Sequence, residues 1–164
     1  MDIKDVKNLR EIMAKERELR KCIANEIPFE DEELHISTGD LLRSYSANRK
    51  ICEEFFPREI RKISRMVVFN FGKISSWEAS EKMAFLGFSP ANIYEALIGL
   101  GKTGMKGDFF ISGSPLDPEE VMTTFPMIKI NGGRTVTLNV DLKIEERFFV
   151  GVELVKEEKE KEVV

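Results

Sequence analysis

Residues 134–144 read Arg134, Thr135, Val136, Thr137, Leu138, Asn139, Val140, Asp141, Leu142, Lys143, Ile144. From Val136 onward every even position is apolar, and every odd position up to 143 is polar. An extended chain points successive side chains to opposite faces, so this alternation describes a strand with one buried and one wet side. Phe148, Val150, Val152 and Leu154 repeat the pattern further on. Upstream, Asn131, Gly132 and Gly133 supply the positive-φ positions of a hairpin turn after a short apolar run at 127–130. The C-terminal third is therefore expected to be a three-stranded antiparallel meander. With even-numbered residues inward, Lys129, Thr135, Thr137, Asn139, Lys143, Arg147 and Phe149 form its outer face. One aromatic there is too few for the base-stacking platforms of single-strand binders.

Toward the N-terminus the period changes. Across residues 2–26, Val6, Leu9, Ile12, Met13, Leu19, Cys22 and Ile23 recur at spacings of three and four, which predicts one long amphipathic helix. Glu11 with Lys15 and Glu16 with Arg20 add acid-before-base pairs four residues apart. Leu9, Ile12, Leu19 and Ile23 also fit a heptad seam, interrupted at Glu16, so this helix is expected to dock on its own domain or on a partner helix.

Pro28 ends that helix, and Glu30, Asp31, Glu32 and Glu33 form an acidic loop before His35. Ser37, Thr38, Gly39 and Asp40 open a second helix extending to Phe55, and Pro57 sits at the first position of a third that reaches Arg65. The run 66–71 (MVVFNF) reads as a strand. Ser75 and Glu78 have capping-box spacing for a helix through Leu86, closed by Gly87. Ser89, with Pro90 after it, caps the next helix, which runs to Leu100 and stops at a left-handed Gly101. A strand over 108–112 and a short helix opened by Asp117, Pro118, Glu119 and Glu120 complete the chain before the meander.

These readings add up to an α+β fold whose helical N-terminal two thirds pack on a mostly antiparallel sheet. Three parts are expected: the amphipathic helix at 1–27, a single domain at 28–155, and a charged, flexible tail at 156–164. With 164 residues, 42% of them hydrophobic and twelve of them Phe, the chain is long and apolar enough to build a core without disulfides or metals. No apolar run approaches the ~20 residues that span a bilayer, and the charged first residues lack the apolar stretch of a secretory signal. A cytoplasmic or intravirion protein is the expectation, and the style of chain suits a small viral, phage or complex subunit.

One His and two distant cysteines, Cys22 and Cys52, cannot complete a four-ligand zinc site, and no nucleophile motif accompanies them. The sequence thus implies no metal and no cofactor, and it leans away from catalysis, with a small enzyme of unrecognised site as the second alternative. Gly101, Lys102, Thr103 and Lys106 resemble the end of a phosphate-binding loop, but Ala96 stands where the pattern needs its first glycine and a helix precedes it. What is left of that idea is a flexible loop over an anion.

The strongest outward signal is charge. Between residues 40 and 75 eight basic residues face four acidic ones, in a chain of net charge −4. On a helix, Arg58, Arg61, Lys62 and Arg65 would share one face, with Arg49 and Lys50 upstream. Such a stripe docks an acidic partner, a protein surface or nucleic acid bound with little sequence preference. The expected function is that of a non-catalytic binding or assembly component: the basic helix takes the acidic partner, and Leu9, Ile12, Leu19 and Ile23 take a protein partner or a second copy.

Overall fold

The computed structural model of the protein describes residues 2–28, 61–113, 124–140 and 145–156. Along these run α1 (Ile3–Arg20), β1 (Ile23–Ile27), β2 (Ile63–Ile74), α2 (Ser76–Phe85), β3 (Ser89–Pro90), α3 (Ile93–Leu100), β4 (Gly107–Phe110), β5 (Thr124–Ile130), β6 (Arg134–Val140) and β7 (Glu145–Leu154). The strands form one mixed sheet in the order β1-β2-β7-β4-β5-β6. β7 pairs antiparallel with β2 along one edge. Its other edge is shared by β4, parallel at Phe148 and Phe149, and by β3, antiparallel at Gly151 and Val152.

This arrangement overturns the expected fold. The described part of the N-terminal two thirds contributes long strands, so it is not a helical layer resting on a C-terminal sheet. The meander is also wrong. β5 and β6 form the predicted hairpin, turning through Gly132 at φ +76°. β7, however, leaves the hairpin and inserts between β2 and β4 in the middle of the sheet.

The sheet is buried on both faces. On one lie Met66 and Val68 of β2, Val150 and Val152 of β7, Phe109 and Ile128, all packed against α3. On the other lie Val67, Phe69, Phe110, Met127 and Phe149, covered by Ala79 and Met83 of α2 and by Leu19 of α1. The alternation of β7 therefore separates two cores rather than a core and solvent. Phe149 is wholly buried and Arg147 nearly so, although both were expected on a wet face. Arg147 lays its guanidinium 4.0 Å from the centroid of the Phe110 ring, a cation–π arrangement that lets its charge sit among aromatics. Lys129 and Thr135 do remain exposed, while Lys143 lies outside the described residues.

Three element boundaries move for identifiable reasons. The first helix ends at Arg20 instead of continuing to residue 26, because Ile23–Ile27 pairs with β2 and buries Ile27 opposite Met66. The expected helix up to Arg65 is, from Ile63 on, already β2: Ile63 is buried opposite Leu154, and long-range pairing outweighs the local charge spacing. The helix cap at Ser89 moves to Asn92, since Ser89–Pro90 pairs with β7. Asn92 Oδ1 accepts from Glu95 N at 2.9 Å while Glu95 Oε1 accepts from Asn92 N at 2.9 Å, a reciprocal capping box. At its other end α3 is followed by a right-handed Gly101 (φ −62°), not a left-handed stop. The Ser75 cap is present as expected, its Oγ accepting from Glu78 N.

α3 is buried along its whole length, which suits a helix that is apolar nearly all round. Its one acid, Glu95, has a side chain 1% exposed and binds Arg61 through Nε at 3.1 Å and Nη2 at 2.5 Å. Arg61 Nη2 also donates to the Pro90 carbonyl at 3.0 Å. A single guanidinium thus joins the start of β2, the β3 segment and the first turn of α3. Gly151 provides a second constraint: a Cβ there would meet the Phe69 ring at 2.8 Å and Met83 Sδ at 3.2 Å, so only glycine lets the two faces close at this point.

Removing a partner from a buried ion pair leaves an uncompensated charge, whereas exposed pairs contribute little. Arg61→Ala, which strands Glu95, is expected to lower the unfolding free energy by about 3 kcal/mol in urea titrations. Arg65→Ala, at a solvent-facing pair, is expected to cost less than about 1 kcal/mol. Equal costs would contradict the anchoring role of Arg61.

Candidate functional site

The basic stripe does not exist as one helix face. Arg49, Lys50 and Arg58 lie outside the described residues, and Arg61 precedes β2 and is committed to Glu95. Arg65 is within β2, where its Nε donates to Glu26 Oε1 at 2.8 Å and its Nη1 stands 3.8 Å from Glu153 Oε2. Lys62 is exposed. Periodicity alone placed these cations together because the spacing that aligns them on a helix says nothing about acids contributed by other strands. Glu26, Glu95 and Glu153 come from β1, α3 and β7.

The glycine loop fares similarly. Lys102 Nζ donates to the Pro28 carbonyl at 3.1 Å, and Thr103 Oγ1 donates to the Leu100 carbonyl at 3.2 Å, so the loop is tied to its surroundings. Gly101 closes the helix with its amide on the Leu97 carbonyl at 3.2 Å. Lys106 reaches a concavity. It joins Asn70, Asp108, Asn131, Glu146 and Arg147 around a cleft of about 450 Å³ at one end of the sheet. Two cations, two anions and two amides line it, a mixture unlike an anion cradle. Asp108 and Glu146 were not singled out from sequence, and Arg147 was read only as part of a strand's outer face, because the β4–β7 parallel pairing is what brings the three together. Among the described residues no group of three or more His, Cys, Asp or Glu side chains is placed to hold a metal ion. His35, Cys52 and the acids at 30–33 and 117–120 lie outside the described residues.

The predicted protein interface divides in two. Leu19 is buried against the Phe69–Met83 core, and Ile23 is a partly buried member of β1. These two dock the end of the helix on its own domain. Leu9 and Ile12 stay 49% and 52% exposed, and Ile3, Val6 and Met13 are exposed beside them. The polar side of α1 is held by local pairs: Arg20 Nη2 to Glu16 Oε1 at 2.7 Å, and Lys21 Nζ to Glu18 Oε1 at 2.9 Å. Between α1 and α2 a second cleft of about 520 Å³ is lined by Lys15, Glu78, Glu81, Lys82, Ala84 and Phe85. Lys15 Nζ lies 4.5 Å from the Phe85 ring centroid. Trp77, on the outer side of α2, is 70% exposed. It is the only tryptophan in the chain, and that was the signal available for it in sequence.

Comparison with family models, with curated proteins and with solved structures finds no match. Among the described residues no helix is long and apolar enough to cross a membrane.

The Glu26–Arg65 pair has a measurable signature. The hydrogen bond from Arg65 holds the Glu26 carboxyl below the usual glutamate range and raises the Arg65 guanidinium in return. A carboxyl depressed in the folded state stabilises the fold above its unfolded value, and that contribution is lost as pH falls through the folded value. An NMR titration of Glu26 is expected to show this depressed midpoint, and Arg65→Gln is expected to return it to the ordinary range. A midpoint unmoved by Arg65→Gln would mean that the pair does not form in solution.

Proposed function

We propose that the protein is a non-catalytic assembly component that docks on a protein partner through the apolar side of α1. The observation that supports this reading is the division of the helix: Leu19 anchors its last turn, while Ile3, Val6, Leu9, Ile12 and Met13 face solvent across more than three earlier turns. Scattered apolar residues are normal on a protein surface, but a contiguous row along one helix, rimmed by charges, is the form that helix-in-groove and helix-pair interfaces take. The exposed Phe85 and the α1–α2 cleft beside it extend that surface onto the domain.

The rest of the molecule supports a binding role over chemistry. Arg61 and Arg65 are engaged by acids and do not share a helix face with exposed Lys62, which speaks against docking of nucleic acid through a basic helix. The cytoplasm is the location that accompanies this reading, with Cys22 as a free thiol.

A photo-crosslinking residue at Ile12, in the full chain expressed in its native cells, is expected to give a discrete protein adduct. The same residue at Lys73, exposed on β2 and outside α1, serves as the control. No adduct from position 12 beyond that seen from position 73 would overturn the docking surface.

A further inference from the structure

The docking face of α1 carries a charge pattern that selects its occupant. We infer that the partner is a second copy of this chain, and that two α1 helices pair in parallel through Val6, Leu9 and Met13; this rests on the docking surface proposed above.

The geometry follows from which side chains already have neighbours. Leu19 and Lys15 touch the domain, through the Phe69–Met83 core and the Phe85 ring respectively. At 100° per residue these two lie on one flank of the helix, whereas Val6, Leu9 and Met13 line up on the adjoining side. Their spacing of three then four is that of a heptad seam, with Val6 and Met13 at a and Leu9 at d. The sequence-based seam through Leu9, Ile12, Leu19 and Ile23 is thereby replaced, since its last two members are occupied within the chain. The new seam stops at Glu16, which is bound to Arg20.

In that frame Asp5 and Ile12 occupy one border of the seam, and Arg10 and Arg17 the other. Parallel helices set each residue of the first border against the residue five positions later on the second border of the partner. Asp5 then meets the partner's Arg10, twice by symmetry, and Ile12 meets the aliphatic stem of the partner's Arg17. Antiparallel helices set like borders together, which would bring Arg10 of both chains against one another and part Asp5 from Arg10. Like charges at that separation repel, so the pattern favours the parallel pair. All four exposed apolar residues from Val6 to Met13 are then shielded, and the domains emerge on the same end without competing for the seam.

The seam is short, so pairing belongs to the weak class and is read across protein concentration. Light scattering on the full chain from about 10 µM to about 1 mM is expected to show a mass rising from 18.8 kDa toward twice that value. Asp5→Arg and Arg10→Asp are each expected to weaken pairing about tenfold, and the combined variant to restore it. Circular dichroism confirms that each remains folded. In a Cys22→Ser, Cys52→Ser background, Val6→Cys is expected to form an inter-chain disulfide on mild oxidation, because residues at a face each other only in a parallel pair.

A monomer throughout the concentration range would overturn the inference, as would charge reversals without rescue. So would a disulfide that forms instead between Leu9→Cys on one chain and Met13→Cys on the other, the d-to-a contact of an antiparallel pair. The crosslink from position 12 separates the two readings. An adduct with a protein other than this chain refutes self-pairing and leaves the docking surface standing, while no adduct refutes both.

Discussion

β7 has two edges and two faces, and every one of them is occupied. Its backbone groups pair with β2 on one side and with β4 and β3 in succession on the other. Val150 and Val152 feed one core, and Phe149 feeds the other. The remaining elements are placed by these demands. α3 must lie over the valines, α2 and the end of α1 over the phenylalanine, and Gly151 must lack a side chain so that Phe69, Met83 and Phe88 can meet above it. A central strand of this kind buries both faces, whereas the sequence pattern of an antiparallel strand announces only one. The Arg61–Glu95 pair then fixes α3 over the sheet by tying its capping box to β2 and to the Pro90 carbonyl.

The local signals that proved reliable are those whose physics is complete within a few residues. The Ser75–Glu78 cap, the Gly132 hairpin, the β5–β6 pairing and the first eighteen residues of α1 need nothing from the rest of the chain. The failures share a different cause. Ile23–Ile27 carries helical spacing, and the segment before Met66 carries a helical charge stripe, yet both run as strand because β2 offers a distant partner to the first and β7 to the second. Likewise the wet face assigned to Arg147 and Phe149 was legible only as alternation, which cannot say that a second layer of helices covers it. Topology was the least legible property: nothing in residues 145–154 tells whether they continue the hairpin or cross to the middle of the sheet.

The candidate site follows the same division. Leu9 and Ile12 could be picked out as outward-facing because amphipathic periodicity is local, and the structure leaves them half exposed. Arg61 and Arg65 could not be recognised as cations paired within the fold, since the glutamates that hold them come from three other elements. Arg61 and Arg65 of the expected stripe are paired with acids, while α1 leaves Leu9 and Ile12 half exposed. That inversion moves the functional argument from a basic helix to α1, a helix stabilised by its own ion pairs and joined to the domain chiefly through Leu19.

Hydrogen exchange of the full chain, followed amide by amide at increasing protein concentration, bears most directly on this account. At the lowest concentration the amides of Met66, Phe69, Val150 and Val152 are expected to exchange only through global unfolding, while those from Val6 to Met13 exchange far faster. Raising the concentration should slow the α1 amides most, and the strand amides only by the stabilisation that pairing adds to the whole fold. If α1 were already as protected as β7 in dilute solution, its apolar side would be covered within a single chain and the docking surface would not exist.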